Sequence, residues 1–150
     1  MTHRQTGPNR WLIANERMGD ELWPALRKLP RGSGVLVLRR LSRKEARYLR
    51  HVANQRALAV AEPPRTAARV HNVRELTRAL LRRPPLVLLS PMHKTRSHPD
   101  WLPLPRMRAA ALARLARRKV IALGGMSAKR YRRIAPLGFQ AWAGIDAFRT

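Results

Sequence analysis

The sequence predicts an α/β fold built on a parallel β-sheet, and three observations support this. Short apolar runs such as 35–38 and 86–89 are typical of strands that are buried on both faces. Segments with apolar residues at helical spacing alternate with these runs along the chain. Gly, Pro, Asn and Ser residues occupy the junctions, where turns and helix caps are expected. Strands and helices that alternate in this way form a parallel sheet covered by helices.

The apolar runs and their breakers predict seven strands. Residues 1–10 are expected to form a disordered tail, and residues 11–150 a single domain. The least regular stretch is 62–69, where consecutive prolines leave room for a weak strand only. The predicted strands are 11–14, 35–38, 58–61, 66–70, 86–89, 120–123 and 141–145.

Five helices are predicted from capping residues and apolar stripes. Asp20 is expected to cap a helix that ends near residue 29. Ser42 and Glu45 have the spacing of a capping box, which opens the second helix. Asn72 is expected to cap the third helix, and the last two are predicted over 106–117 and 128–134. A long polar loop separates the strand at 86–89 from the fourth helix.

Composition limits the class of protein. The 150 residues suit one domain, and the absence of Cys excludes a disulfide scaffold, a thiolate metal site and a cysteine nucleophile. No apolar run approaches the roughly 18 residues of a membrane span, and the N-terminus lacks the apolar core of a secretory signal. We therefore expect a cytoplasmic protein with no membrane partner.

The chain is strongly basic, with 32 Lys and Arg residues against 8 Asp and Glu residues and a formal net charge of +24. Such a charge predicts non-specific binding of polyanions at low salt. The excess is spread along the whole chain, and few aromatic residues are present for base stacking. A dedicated nucleic-acid binder therefore stays an alternative and is not the first hypothesis.

Ligands in parallel α/β folds bind at the carboxyl ends of the strands. The residues that directly follow the predicted strands are therefore the candidates for a site. They are Asn15, Arg39, Glu62, His71, the loop from Ser90, Gly124-Gly125 and Asp146.

Three segments carry a resemblance to a known family. They are LVLLSPMHKTRSHP at 86–99, KVIALGGMSAKRYRRIAPLGFQAWAGIDAF at 119–148 and RVHNVREL at 69–76. In this order they resemble the thiamine phosphate synthase / thiazole tautomerase family of TIM barrels, over most of residues 11–148. The resemblance implies a (βα) barrel and a small phosphorylated substrate.

The resemblance also implies a phosphate site. Thr95 and Ser97 match loop hydroxyls with which the family grips thiazole phosphate. Gly124-Gly125 matches a glycine turn that is expected to open a helix, where backbone N–H groups can face a phosphate. Arg39 matches an arginine after the second strand, which implies a contact to an anionic substrate.

Three further positions bear on catalysis or charge. His71 matches the histidine that the tautomerase branch uses for proton transfer, a role that suits an imidazole near neutral pH. His98 stands where the family has a lysine in the phosphate loop. Asp146 replaces a serine at the end of the last strand and places an anion beside the implied phosphate site.

The chain departs from the family at its metal site. The family holds Mg²⁺ with an acidic pair, of which only Glu62 has a counterpart here, and a diphosphate without that metal lacks its usual neutralisation. The family's third helix, fourth strand and fourth helix are expected to be missing between Ala61 and Thr66. The barrel is therefore expected to be shortened to about seven strands, since eight-stranded barrels need chains of about 200 residues or more.

These observations favour a thiamine phosphate synthase-like protein of thiamine biosynthesis, which joins a thiazole phosphate to a pyrimidine diphosphate. The alternatives are a tautomerase-like isomerase that uses His71 and a non-catalytic phosphate-binding protein. An opened barrel has unpaired strand edges, which favour a homodimer.

Overall fold

The computed structural model describes residues 7–96, 98–117 and 119–148. Within these residues the chain forms seven strands and five α-helices. The strands are β1 (Arg10–Ala14), β2 (Gly34–Val37), β3 (Ala59–Ala61), β4 (Ala67–Val70), β5 (Leu86–Leu89), β6 (Lys119–Ala122) and β7 (Ala141–Gly144). The helices are α1 (Leu22–Lys28), α2 (Arg43–Arg56), α3 (Val73–Leu81), α4 (Arg106–Ala116) and α5 (Ala128–Ile134).

All seven strands pair in parallel, in the spatial order β3-β2-β1-β7-β6-β5-β4, and curve into a nearly closed barrel. The predicted α/β class and the seven predicted strands are confirmed, and each strand end lies within one residue of its expected position. Short 3-10 turns over Glu16–Glu21, Ala135–Leu137 and Asp146–Phe148 complete the described chain.

Strands β2, β5 and β7 are buried on both faces, which explains their continuous apolar sequences, whereas the edge strands β3 and β4 are partly exposed. Leu86 and Leu88 of β5 point into the barrel, whereas Val87 and Leu89 pack against the surrounding helices. Trp11 fills the interior beside Gly34, its partner in the ladder between β1 and β2. A side chain at position 34 would overlap the indole ring, so this strand position has to be glycine.

The barrel is shortened between β3 and β4, as the sequence predicts. Only residues 62–66 join these two edge strands, whereas a crossover between parallel strands usually takes a dozen or more residues. The Glu62 N–H donates to Thr66 Oγ1 at 2.8 Å, and the Thr66 N–H donates to the Glu62 carbonyl at 3.0 Å. Ala61 and Ala67 lie in the same interior cluster, so the two edges approach each other around a tight turn.

The helix caps that the sequence predicts are present, except at the first helix. The capping box of Ser42 and Glu45 is present, and the Asn72 side chain accepts a hydrogen bond from the Glu75 N–H at 2.8 Å. The prediction that Asp20 caps α1 is wrong. The chain enters α1 through a 3-10 turn, and Asn15 caps that turn by accepting from the Arg17 N–H at 3.1 Å.

In the described part of the chain, every helix is too short or too polar to cross a lipid bilayer.

Candidate functional site

A cavity of about 560 Å³ opens at the carboxyl ends of the strands. Its apolar floor consists of Ile13, Leu38, Leu123 and Ala143, which come from the ends of four strands or directly follow them. The volume lies within the range of small-molecule sites, and the position is the usual ligand site of parallel α/β barrels.

One wall of the cavity is the contact between the loop after β5 and the Gly124-Gly125 turn after β6. The Met92 N–H donates to the Leu123 carbonyl at 2.8 Å, and the His93 N–H donates to the Gly124 carbonyl at 3.1 Å. Both glycines have positive φ angles, 100° and 60°. A Cβ atom on Gly124 would lie 2.9 Å from the Met92 nitrogen, so backbone conformation and close approach together require glycine.

The glycine turn does not itself open a helix, which corrects the sequence prediction. Helix α5 begins at Ala128, and Ser127 caps it by accepting from the Arg130 N–H at 3.3 Å. The Arg130 guanidinium reaches back and donates to the Gly125 carbonyl. This bond ties the first turn of α5 to the glycine turn and directs a cation toward the cavity that Arg130 lines.

The described lining of the cavity carries five cationic side chains and one carboxylate. The carboxylate, Asp146, forms an ion pair with Arg17 at 3.0 Å. The cations are Arg17, Arg69, Lys94, Arg96 and Arg130. They come from the turn before α1, from β4, from the loop after β5 and from α5, and they outnumber the carboxylate, so the cavity is electropositive.

The positive charge also acts on a neighbouring histidine. Burial, together with the positive charge of Arg130, lowers the pKa of His93 below its ordinary value. His93 therefore favours its neutral form beside the glycine turn, where its Cβ would be 3.0 Å from a Cβ placed on Gly125.

The cavity brings together several of the residues that the sequence singled out. Thr95 lines it, and its Oγ1 accepts a hydrogen bond from the His98 N–H at 3.0 Å. His98 also lines it and stacks on Trp101, with ring centroids 3.8 Å apart. Gly124, Gly125 and Asp146 belong to the same lining, whereas Ser97 lies outside the described residues.

Ser90 opens the loop that the sequence singled out after β5, and it is itself a cavity residue. It directly follows β5, is 5% exposed and donates its backbone N–H to the Val70 carbonyl at 3.2 Å. Among the described residues its Oγ has no hydrogen-bond partner, although a buried hydroxyl is usually satisfied. Its place after an apolar strand was the available signal.

Arg39 lies apart from this cavity. Its guanidinium donates to Glu45 Oε2 at 2.8 Å and to the Gly19 carbonyl at 3.1 Å, and it lies over the Trp23 ring at 5.8 Å. The side chain is only 10% exposed. These contacts join α2 to the turn before α1, which is a structural role.

Glu62 also lies apart from the cavity, in the exposed turn between β3 and β4. Within the described ranges, no group of three or more His, Cys, Asp or Glu side chains could hold a metal ion. Since Asp146 already pairs with Arg17, these residues do not fit the two-acid Mg²⁺ site that the resemblance implies.

His71 is engaged with the first turn of α3 and is not part of the cavity lining. Its Nδ1 lies 2.9 Å from Glu75 Oε2, and its backbone N–H donates to the same oxygen at 2.9 Å. Burial disfavours the ionised carboxylate, yet these hydrogen bonds hold the pKa of Glu75 below its ordinary value. The His71 ring packs edge-on against Trp101 at 5.2 Å, and its Nε2 is buried. This geometry favours a capping role over proton transfer in the cavity.

Seven parallel strands around an apolar interior, with a cavity at their carboxyl ends, define a TIM-like α/β barrel. Among solved structures, the chain is similar to a thiamine phosphate pyrophosphorylase from Pyrococcus furiosus, with a TM-score of 0.73. The two sequences are 13% identical, and the match covers 93% of this chain and 86% of that chain. At this identity the likeness establishes the fold. Neither a family model nor a curated protein matches the sequence.

Proposed function

We propose that this chain is a thiamine phosphate synthase-like protein of thiamine biosynthesis that binds thiazole phosphate or thiamine phosphate in the cavity. The observation that carries the proposal is the cation-rich cavity at the carboxyl ends of the strands, in a fold similar to that of a thiamine phosphate pyrophosphorylase.

The two halves of such a ligand match the two parts of the cavity. Lys94, Thr95 and Arg130 line the cavity and would bind the phosphate, since charge-assisted hydrogen bonds to phosphate are among the stronger polar contacts. The apolar floor around Ile13 and Leu123 suits the heteroaromatic ring. Affinity therefore requires both the phosphate and the ring.

Calorimetric titration of the protein with thiazole phosphate tests this binding at physiological salt. The unphosphorylated thiazole alcohol is expected to bind at least tenfold more weakly, because it lacks the charged group. Lys94→Gln is expected to weaken thiazole phosphate about fivefold or more, since it removes a charge-assisted hydrogen bond. The matched control, Lys44→Gln, removes the same charge from the exposed start of α2 and should leave affinity unchanged.

Equal affinity for the phosphate and the alcohol, or equal losses in the two lysine variants, would contradict the assignment of the phosphate to this cavity. The joining reaction is a finer proposal and needs a pyrimidine diphosphate as second substrate. Thiamine phosphate detected by mass spectrometry after incubation with both substrates would support it, and binding of both without product would identify a non-catalytic binding protein.

A further inference from the structure

We propose that the cavity binds a diphosphate group without a divalent metal ion, because arginine and lysine side chains neutralise it directly. This inference deepens the proposed function, since it concerns the same cavity, and it names a ligand class: an organic diphosphate, with inorganic pyrophosphate as its simplest form.

The charge of the cavity argues against a resident metal ion. A divalent cation is held by carboxylate oxygens, and Asp146, the one carboxylate among the described lining residues, is already paired with Arg17. The remaining ionised side chains of that lining are cationic and would repel a metal ion. The same charges attract a multiply charged anion.

Three of the five cations have no protein partner within the described ranges. Arg17 is bonded to Asp146, and Arg130 to the Gly125 carbonyl. No hydrogen bond or ion pair to another described residue engages the side chains of Arg69, Lys94 and Arg96. These three cations keep their donors available for a ligand.

The available cations approach the cavity from different elements. Arg69 lies on edge strand β4, two residues after Ala67, so its side chain is on the barrel-interior face of the strand. Arg96 belongs to the loop after β5. Each guanidinium can donate two parallel hydrogen bonds to one phosphate group, so two arginines match the two phosphates of a diphosphate.

The buried Ser90 hydroxyl adds an independent observation. It lies at the end of β5 in the cavity lining, and no described residue satisfies it. An unpartnered buried hydroxyl costs free energy unless a ligand or water completes its hydrogen bonds. A phosphate oxygen that enters the cavity as far as the end of β5 would provide the missing acceptor.

The test is a calorimetric titration of the full chain with inorganic pyrophosphate at physiological salt, once with EDTA and once with excess Mg²⁺. We expect pyrophosphate to bind in EDTA, more tightly than inorganic phosphate, and excess Mg²⁺ not to strengthen it. The double variant Arg69→Gln/Arg96→Gln is expected to weaken binding at least tenfold. The matched control, Arg47→Gln/Arg50→Gln, removes the same charge from exposed positions of α2 and should change it less than twofold.

Thermal unfolding of both double variants checks that each is folded, and Ser90→Ala provides a second reduction in affinity that involves no change in charge. Binding that requires Mg²⁺, absence of binding, or equal weakening in the two double variants would each overturn the inference. If thiazole phosphate binds but pyrophosphate in EDTA does not, the proposed function stands and the metal-free diphosphate site is wrong. If neither binds, both proposals fail.

Discussion

At the residue scale, the site depends on backbone positions that only glycine can occupy. Gly124 combines a φ of 100° with a close approach to Pro91 and Met92, whereas Gly32 has a φ of 80° and open space around it. The two positions separate the effect of backbone conformation from that of steric contact.

Gly124→Ala is therefore expected to destabilise the protein more than Gly32→Ala. The positive φ alone costs an L-residue about 1–2 kcal/mol, and at position 124 the new Cβ must also displace backbone atoms 2.9 Å away. Denaturant unfolding measures both losses, and calorimetry should show weakened thiazole phosphate binding for Gly124→Ala only. Equal losses of stability would show that the approach between the two loops is not a constraint.

Also at the residue scale, some arginines have structural partners and others line the cavity. Arg39 and Arg69 both follow or belong to strands in the sequence, yet Arg39 is bonded to Glu45 and Arg69 lines the cavity. Their different roles depend on the side chains that the fold brings to each guanidinium.

At the element scale, α2 begins with a capping box that also anchors Arg39. The Glu45 side chain accepts from the Ser42 N–H at 3.2 Å and from the Arg39 guanidinium at 2.8 Å. The backbone hydrogen bond from Ser42, followed by the bond from Arg39, lowers the pKa of Glu45 below its ordinary value. The start of this helix is therefore sensitive to acid.

A lowered pKa in the folded state stabilises the protein above the unfolded pKa, about 4.3 for Glu, and this contribution is lost as the pH falls through the folded value. Glu45→Gln is expected to destabilise the protein at pH 7 and to differ less from wild type near pH 3. Chemical denaturation at both pH values measures this, with the exposed Glu16→Gln as the control. A Glu45→Gln deficit that stays constant between the two pH values would contradict the acid dependence.

The capping interactions also explain why the starts of α2 and α3 were predicted correctly. Ser42 and Asn72 accept bonds from residues three positions along the chain, so the sequence holds the whole interaction. The predicted Asp20 cap of α1 is wrong because the chain first forms a 3-10 turn over Glu16–Glu21, which Asn15 caps and in which Met18 is buried. Packing against the core favours this turn, and the local spacing of residues in the sequence does not encode that packing.

At the scale of the whole molecule, the net charge of +24 is the dominant property. Exposed cationic side chains lie on both α2 and α5, two helices that are far apart in the sequence. A diffuse positive surface binds polyanions by neutralising phosphates, without sequence preference.

We expect duplex DNA to bind at low salt, with an affinity that falls linearly on a logarithmic salt scale and is lost near physiological salt. Fluorescence anisotropy with two unrelated duplexes measures both properties, and thiazole phosphate binding should survive the same increase in salt. A preference for one duplex, or a flat salt dependence, would instead favour a dedicated nucleic-acid site.

The homodimer expected from open strand edges stays a prediction. The exposed strand edges are short, since β3 has three residues and a five-residue turn joins it to β4. Sedimentation velocity at physiological salt distinguishes a monomer from a dimer.

Most of the fold could be predicted from the sequence, because apolar runs, helical periodicity and helix caps are patterns of residues that lie close together in the chain. Leu86 to Leu89 form an unbroken apolar run because the interior and the helix layer both bury them. The shortened connection after Ala61 was also visible, since too few residues remain for a helix and a strand. The resemblance then placed Thr95, Gly124 and Gly125 at one end of the barrel, where the structure brings them together.

The tertiary structure alone decided which charged and polar groups belong to the cavity. It engages Arg39 and His71 with the starts of neighbouring helices. It leaves the side chains of Arg69 and Ser90 in the lining without a hydrogen-bond partner among the described residues. The physical reason is that side-chain partners come from elements far apart in the chain, such as Arg17 and Asp146, and no local pattern encodes which of them meet.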